Sequence, residues 1–122
     1  MIAAFKQALA TPVQLALPRL LAAGNTIREQ IRERTRTNLA TFRSLTAGTA
    51  CQVLNVEGGW SAILQVPRTY TEESWALTLL ADHNILVQPG FFFDFEAEAY
   101  LVVSLLTMPE VFRSGADLLI RA

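Results

Sequence analysis

Helical apolar spacing dominates the first part of the chain; beyond Gly48, short runs of β-prone residues separated by glycine and proline become frequent. Thr11-Pro12-Val13-Gln14 reads as a helix start. Thr11 is placed to cap, Pro12 takes the first helical position, where its missing N–H costs nothing, and Gln14 completes a capping box. Pro18 is expected to bend this helix, and Gly24-Asn25 to break or kink the chain before a longer helix from about Thr26 to Leu45. That helix sets Ile27, Ile31, Asn38, Phe42 and Leu45 near one face, with Leu39 beside them. Arg28, Glu29, Arg32, Glu33, Arg34, Arg36 and Arg43 cover the rest, a pattern suited to i to i+4 pairing on a solvated face.

Beyond Gly48, Cys51 to Val56 and Trp60 to Val66 predict two strands joined at Glu57-Gly58-Gly59, a hairpin that Pro67 ends. A third helix follows. Thr71 can cap it, Glu72 and Glu73 suit the positive end of its dipole, and Trp75, Leu79 and His83 recur at spacing four before Asn84 closes it. Ile85-Leu86-Val87 predicts a short buried strand stopped by Gln88-Pro89-Gly90. After Phe91-Phe92-Phe93-Asp94-Phe95 and a spacer with Glu96 and Glu98, Tyr100 to Leu106 is the clearest strand pattern in the chain. Thr107-Met108-Pro109-Glu110 reads as a second capping box, opening a helix to about Ile120. The order α-α-β-β-α-β-β-α predicts an α/β (α+β) two-layer sandwich. A small, mostly antiparallel sheet of about four strands packs against helices, in one domain spanning 1–122.

Composition adds an excess of apolar surface. Of 122 residues 52% are hydrophobic and 17% charged, with mean hydropathy +0.31, whereas charged residues usually make up about a quarter. No apolar run approaches the roughly 20 residues that cross a bilayer, and Met1 to Leu9 does not read as a signal peptide. A partner surface, a further domain or a second subunit, is the expected outlet, so a homodimer through apolar surface is expected. A net charge of −1 gives no bulk attraction to nucleic acid. Arg28, Arg32 and Arg36 share a stripe that could touch phosphates, but interleaved glutamates and the acidic total weigh against it. Cys51 and His83 are the single cysteine and histidine. They exclude an internal disulfide and a structural zinc site, and they fit a reducing cytoplasm.

Three stretches together resemble the class I/II aminotransferases of fold type I. They are Glu57-Gly58-Gly59-Trp60 with its alternating strand, Ile85 to Phe93 with its Pro89-Gly90-aromatic turn, and Tyr100 to Leu106 with the helix after it. The opening Thr11-Pro12-Val13-Gln14 resembles the entry to that family's long connecting helix. The resemblance covers nearly the whole chain. It implies a C-terminal small domain that closes over the substrate of a pyridoxal-phosphate enzyme, while a large domain, not expected in this chain, carries the cofactor and its Schiff-base lysine. It further implies that Gly58, Gly59, Trp60 and Phe91 face the substrate.

Two departures from the family follow. Lys6 is the only lysine, it stands in the opening Ala-rich segment, and no long glycine-rich phosphate cradle is present. Many relatives also carry, two residues before the strand's serine, an arginine that pairs with the substrate carboxylate, and here that position is Val102. The expectation is therefore a chain with no catalytic residue, no metal site and no bound cofactor of its own, inactive alone. The second function class is a stand-alone α/β interaction or ligand-binding module that self-associates. The structural alternatives at the site residues are a plain turn at Gly58-Gly59 and a buried or interface Trp60. Because strand side chains alternate, Phe91, Phe92 and Phe93 cannot all point into one core, and at least one is expected at a partner surface.

Overall fold

The computed structural model describes residues 10–97 and 99–122, and the described residues divide into two compact units, one ending at Ile31 and one beginning at Arg32. In the first, helix α1 spans Thr11–Ala23 and α2 begins at Asn25. The cap is Ala10, which offers no side-chain bond, so Thr11 already lies inside the helix and its expected capping box does not form. Gly24 does not break the chain: it keeps right-handed helical angles, its N–H donates to the Leu20 carbonyl, and its own carbonyl accepts from Arg28 N. The Arg28 guanidinium donates to the Leu21 carbonyl and the Asn25 side chain. No residue of α1 is buried, and Leu15 is 78% exposed.

The second unit holds the end of α2 (Asn25–Thr46), the sheet and two further helices, α3 (Glu72–His83) and α4 (Pro109–Arg121). Strands β1 (Gln52–Val53), β2 (Ser61–Gln65), β3 (Gln88–Pro89) and β4 (Tyr100–Ser104) form one sheet in the order β1-β2-β4-β3, every pair antiparallel. The fold is α+β with the element order read from the sequence. Leu64 pairs with Leu101 and Ala62 with Val103, so β2 and β4 turn the same face inward. There Ala62, Leu64, Leu101 and Leu105 are buried with Phe42 of α2, Trp75 and Leu79 of α3, and Phe112, Ala116 and Leu119 of α4. The Phe42 and Phe112 rings meet edge to face at 5.5 Å.

Several boundaries differ from the sequence reading. The expected strand Ile85–Val87 is not in the ladder; the pairs fall at Gln88–Val102 and Pro89–Leu101. Asn84 adopts φ 56° and ends α3, Ile85 N returns to the Leu79 carbonyl, and Val87 is spent on the core before the chain reaches β4. Proline is tolerated at Pro89 because β3 is an edge strand. Helix α4 is capped at Met108 without a side-chain bond, not at Thr107, whose carbonyl instead accepts from Asn38 Nδ2 at 2.7 Å. At α3 the expected cap is present: Thr71 Oγ1 accepts from Ser74 N at 3.1 Å.

Candidate functional site

With α3, α4 and the second half of α2 packed on one face, the residues of the other face are half-buried or exposed. That face carries Gln52 of β1, Ser61, Ile63 and Gln65 of β2, Tyr100, Val102 and Ser104 of β4, and Gln88 of β3, none of them buried. Val102 sits at its centre, opposite Ile63 on one side and Gln88 on the other. None of these strand positions is Arg or Lys. An anion held against this face would therefore meet amides and hydroxyls of this chain and no guanidinium from its strands.

Gly58, Gly59 and Trp60 lie together in the loop that joins β1 to β2. Gly59 needs its lack of a side chain, with φ 78°, whereas Gly58 has no such angle and open space at its Cβ position. Trp60 is 61% exposed, and its carbonyl accepts from Leu105 N at 2.7 Å, which fixes the loop to the Ser104 end of β4. Phe91 lies at the other end, next to Tyr100. Five strand residues separate the two, about 16 Å at the rise of an extended chain. The structure thus brings Gly58, Gly59 and Trp60 together, sets Val102 between, and keeps Phe91 apart from the glycine loop. Beside that loop, Arg32 and Arg36 of α2 line a cleft of about 180 Å³ with Val56 and Glu57. A larger cleft of about 410 Å³, lined by His83, Ile85, Val103, Ser104, Val111 and Gly115, opens between α4 and the segment before β3.

The phenylalanines are not in a strand. Gly90–Phe93 forms a 3₁₀ turn, in which side chains do not alternate between two faces, and all three phenylalanines are exposed, Phe91 by 47%, Phe92 by 66% and Phe93 by 51%. Gly90 is required by contact: a Cβ there would lie 2.8 Å from Phe95 Cδ2 and 2.9 Å from Tyr100 Cβ. The residue that sequence reasoning missed is Glu72. It is only 1% exposed, and its carboxylate accepts from Phe91 N at 2.8 Å and Tyr100 N at 2.9 Å. Local sequence shows Glu72 as a helix-start acid like Glu73; its partners lie 19 and 28 residues away, beyond any local signal.

Cys51 is buried, and burial pushes its thiol above the ordinary value of 9.0, so it is no nucleophile at neutral pH. Among the described residues no group of three or more His, Cys, Asp or Glu could hold a metal, and no helix is long and apolar enough to cross a membrane. Lys6 and Glu98 lie outside the described residues.

No family model matches the chain, and no curated protein matches it in sequence. Solved structures do. A protein of Escherichia coli, YbdL, described with a methionine aminotransferase function, superposes with TM-score 0.73 at 17% identity over 97% of this chain and 32% of its own. An aminotransferase from Staphylococcus aureus gives TM-score 0.70 at 23% identity over 81% of this chain and 27% of its own. LysN of Thermus thermophilus, an alpha-aminoadipate aminotransferase solved with N-(5'-phosphopyridoxyl)-L-leucine, gives 0.65 at 22% identity over 88% and 29%. The chain spans about a third or less of the length of these proteins, and the fold it shares is that of one portion of an aminotransferase chain.

Proposed function

We propose that this chain is the C-terminal small domain of a fold-type I aminotransferase, which closes over an amino acid substrate while a large domain or second subunit supplies cofactor and lysine. The observation that carries this reading is a four-stranded antiparallel sheet packed on one face by α3, α4 and the second half of α2, matched over 97% of the chain within 32% of an aminotransferase. In the intact enzyme pyridoxal phosphate would supply the electron sink for moving an amino group between an amino acid and a 2-oxo acid. The described residues do not fit that cofactor. None is a lysine, and no glycine-rich cradle opens a helix toward a phosphate. No step through it is assigned to this chain.

What the chain's own residues contribute is shape and the exclusion of water. Gly58, Gly59 and Trp60 would form one margin of the closing surface and Phe91 the other, with Val102 giving an apolar contact where relatives place an arginine. The substrate carboxylate would then take its cationic partner from outside this chain's strands. A cytoplasmic setting for the enzyme draws its support from the single cysteine, Cys51, which is free and buried.

The test is direct. Mixed with pyridoxal phosphate, the purified chain is expected to give no stoichiometric Schiff-base absorbance and no transamination, and an aminotransferase large domain added in trans is expected to bind it. Stable one-to-one absorbance from the chain alone would contradict the proposal. The second reading, a self-associating ligand-binding module, draws on the 410 Å³ cleft; it gains if the chain self-associates yet ignores every large domain offered.

A further inference from the structure

The turn Gly90–Phe93 presents three exposed phenylalanines although little sheet structure supports it. The ladder between β3 and β4 has only two pairs, ending at Pro89 opposite Leu101. The next rung would set Gly90 opposite Tyr100, and there the backbones do come close: a Cβ on Gly90 would lie 2.9 Å from the Tyr100 carbonyl oxygen. Instead of a strand rung, one buried carboxylate spans the gap. Glu72 Oε2 takes the Phe91 N–H and Oε1 takes the Tyr100 N–H. Glu72 itself is fixed as the first residue of α3, behind a formed Thr71 cap. We infer that Glu72 is the positioning residue of this surface, a carboxylate clasp in place of a ladder rung that sets the phenylalanine turn relative to the first residue of β4.

The chemistry is specific to a carboxylate. Two backbone donors converge on one side chain, one on each oxygen, and a carboxylate meets both in that geometry without turning a hydrogen toward either. Glutamine fills the same volume but turns an NH₂ toward one of the two N–H groups. The functional consequence rests on the reading of Phe91 as site-facing. Glu72 would then hold one margin of the closing surface at fixed distance from Val102, two residues along β4, and a partner would meet the phenylalanines already ordered.

Amide-resolved hydrogen exchange on the chain carrying Glu72→Gln tests the clasp, and sedimentation tests what it does. At least one of the Phe91 and Tyr100 amides is expected to exchange about tenfold faster or more, beyond any change at Val66 and Leu105, whose N–H groups are held by Ala99 and Trp60 at the two ends of the β2–β4 ladder. Self-association through the turn is expected to weaken in parallel. Equal acceleration at all four amides would make Glu72 an ordinary stabilising residue and overturn the proposal, as would no change at any of them. Glu72→Leu, which removes both acceptors at similar volume, is expected to release both amides if it folds; retained protection at both would equally overturn it. Local release with unchanged association would leave the clasp standing and count against the phenylalanine turn as the contact surface, which separates the two failures.

Discussion

At Gly90 and Cys51 single atoms decide the behaviour. Gly90→Ala puts a methyl group 2.8 Å from Phe95 Cδ2 and 2.9 Å from the Tyr100 Cβ and carbonyl oxygen. One of those neighbours is backbone, which cannot swing aside, so a loss of about 1–3 kcal/mol is expected, measurable by urea unfolding. Cys51 makes a statement about pH. Its thiol is held above 9.0 by desolvation, so the folded state binds that proton more tightly than the unfolded chain does. The contribution to stability is fully present below about pH 9 and is lost as pH rises through the elevated folded value. Unfolding midpoints measured across that alkaline range should fall less in Cys51→Ser than in the parent chain. An identical pH response in the two chains would rule this out.

Among the elements, the β1–β2 connection shows what sequence can and cannot specify. Two adjacent glycines announce a turn, and the turn is there, but only Gly59 occupies the left-handed region, at φ 78°. Gly59→Ala is expected to cost about 1–2 kcal/mol, while Gly58→Ala, with nothing within 4 Å of the added carbon, is expected to be nearly silent. Thermal unfolding of the two variants side by side checks the asymmetry; equal losses would mean the loop rearranges. The helices tell a similar story. Thr71 caps α3 as its sequence promises, whereas Thr11 and Thr107, which open the fuller Thr-x-x-Gln and Thr-x-x-Glu boxes, cap nothing, because the helices start one residue to either side. A capping box is a local opportunity; at Thr107 the backbone carbonyl is drawn to Asn38, 69 residues away in sequence. The apolar run Ile85–Val87 failed as a strand for a related reason. Val87 and Ile85 pack on the core, but the αL residue Asn84 delivers them there before the chain lines up with β4.

For the whole molecule the governing fact is apolar surface left over. Leu15, Leu20 and Leu21 of α1 and all three phenylalanines of the turn are exposed, more than scattered single residues explain. Concentration-dependent mass is therefore expected in light scattering, and combined Phe91→Ser, Phe92→Ser and Phe93→Ser substitutions should reduce it while leaving the far-UV spectrum unchanged. A strictly monomeric parent chain at high concentration would remove the turn and α1 as contact surfaces.

Element types and their order were set by the sequence alone, since periodicity, glycine, proline and the Thr71 cap are local and survive without knowledge of the rest. The resemblance carried in Gly58-Gly59-Trp60, Pro89-Gly90-Phe91 and the β4 run likewise needs only short stretches read in order. Which face of the sheet packs on the helices, the separation of Phe91 from the glycine loop along β4, and the burial of Glu72 came from the tertiary structure. Each depends on which distant segments meet, and a side chain whose partners lie 19 and 28 residues away has no local pattern to betray it.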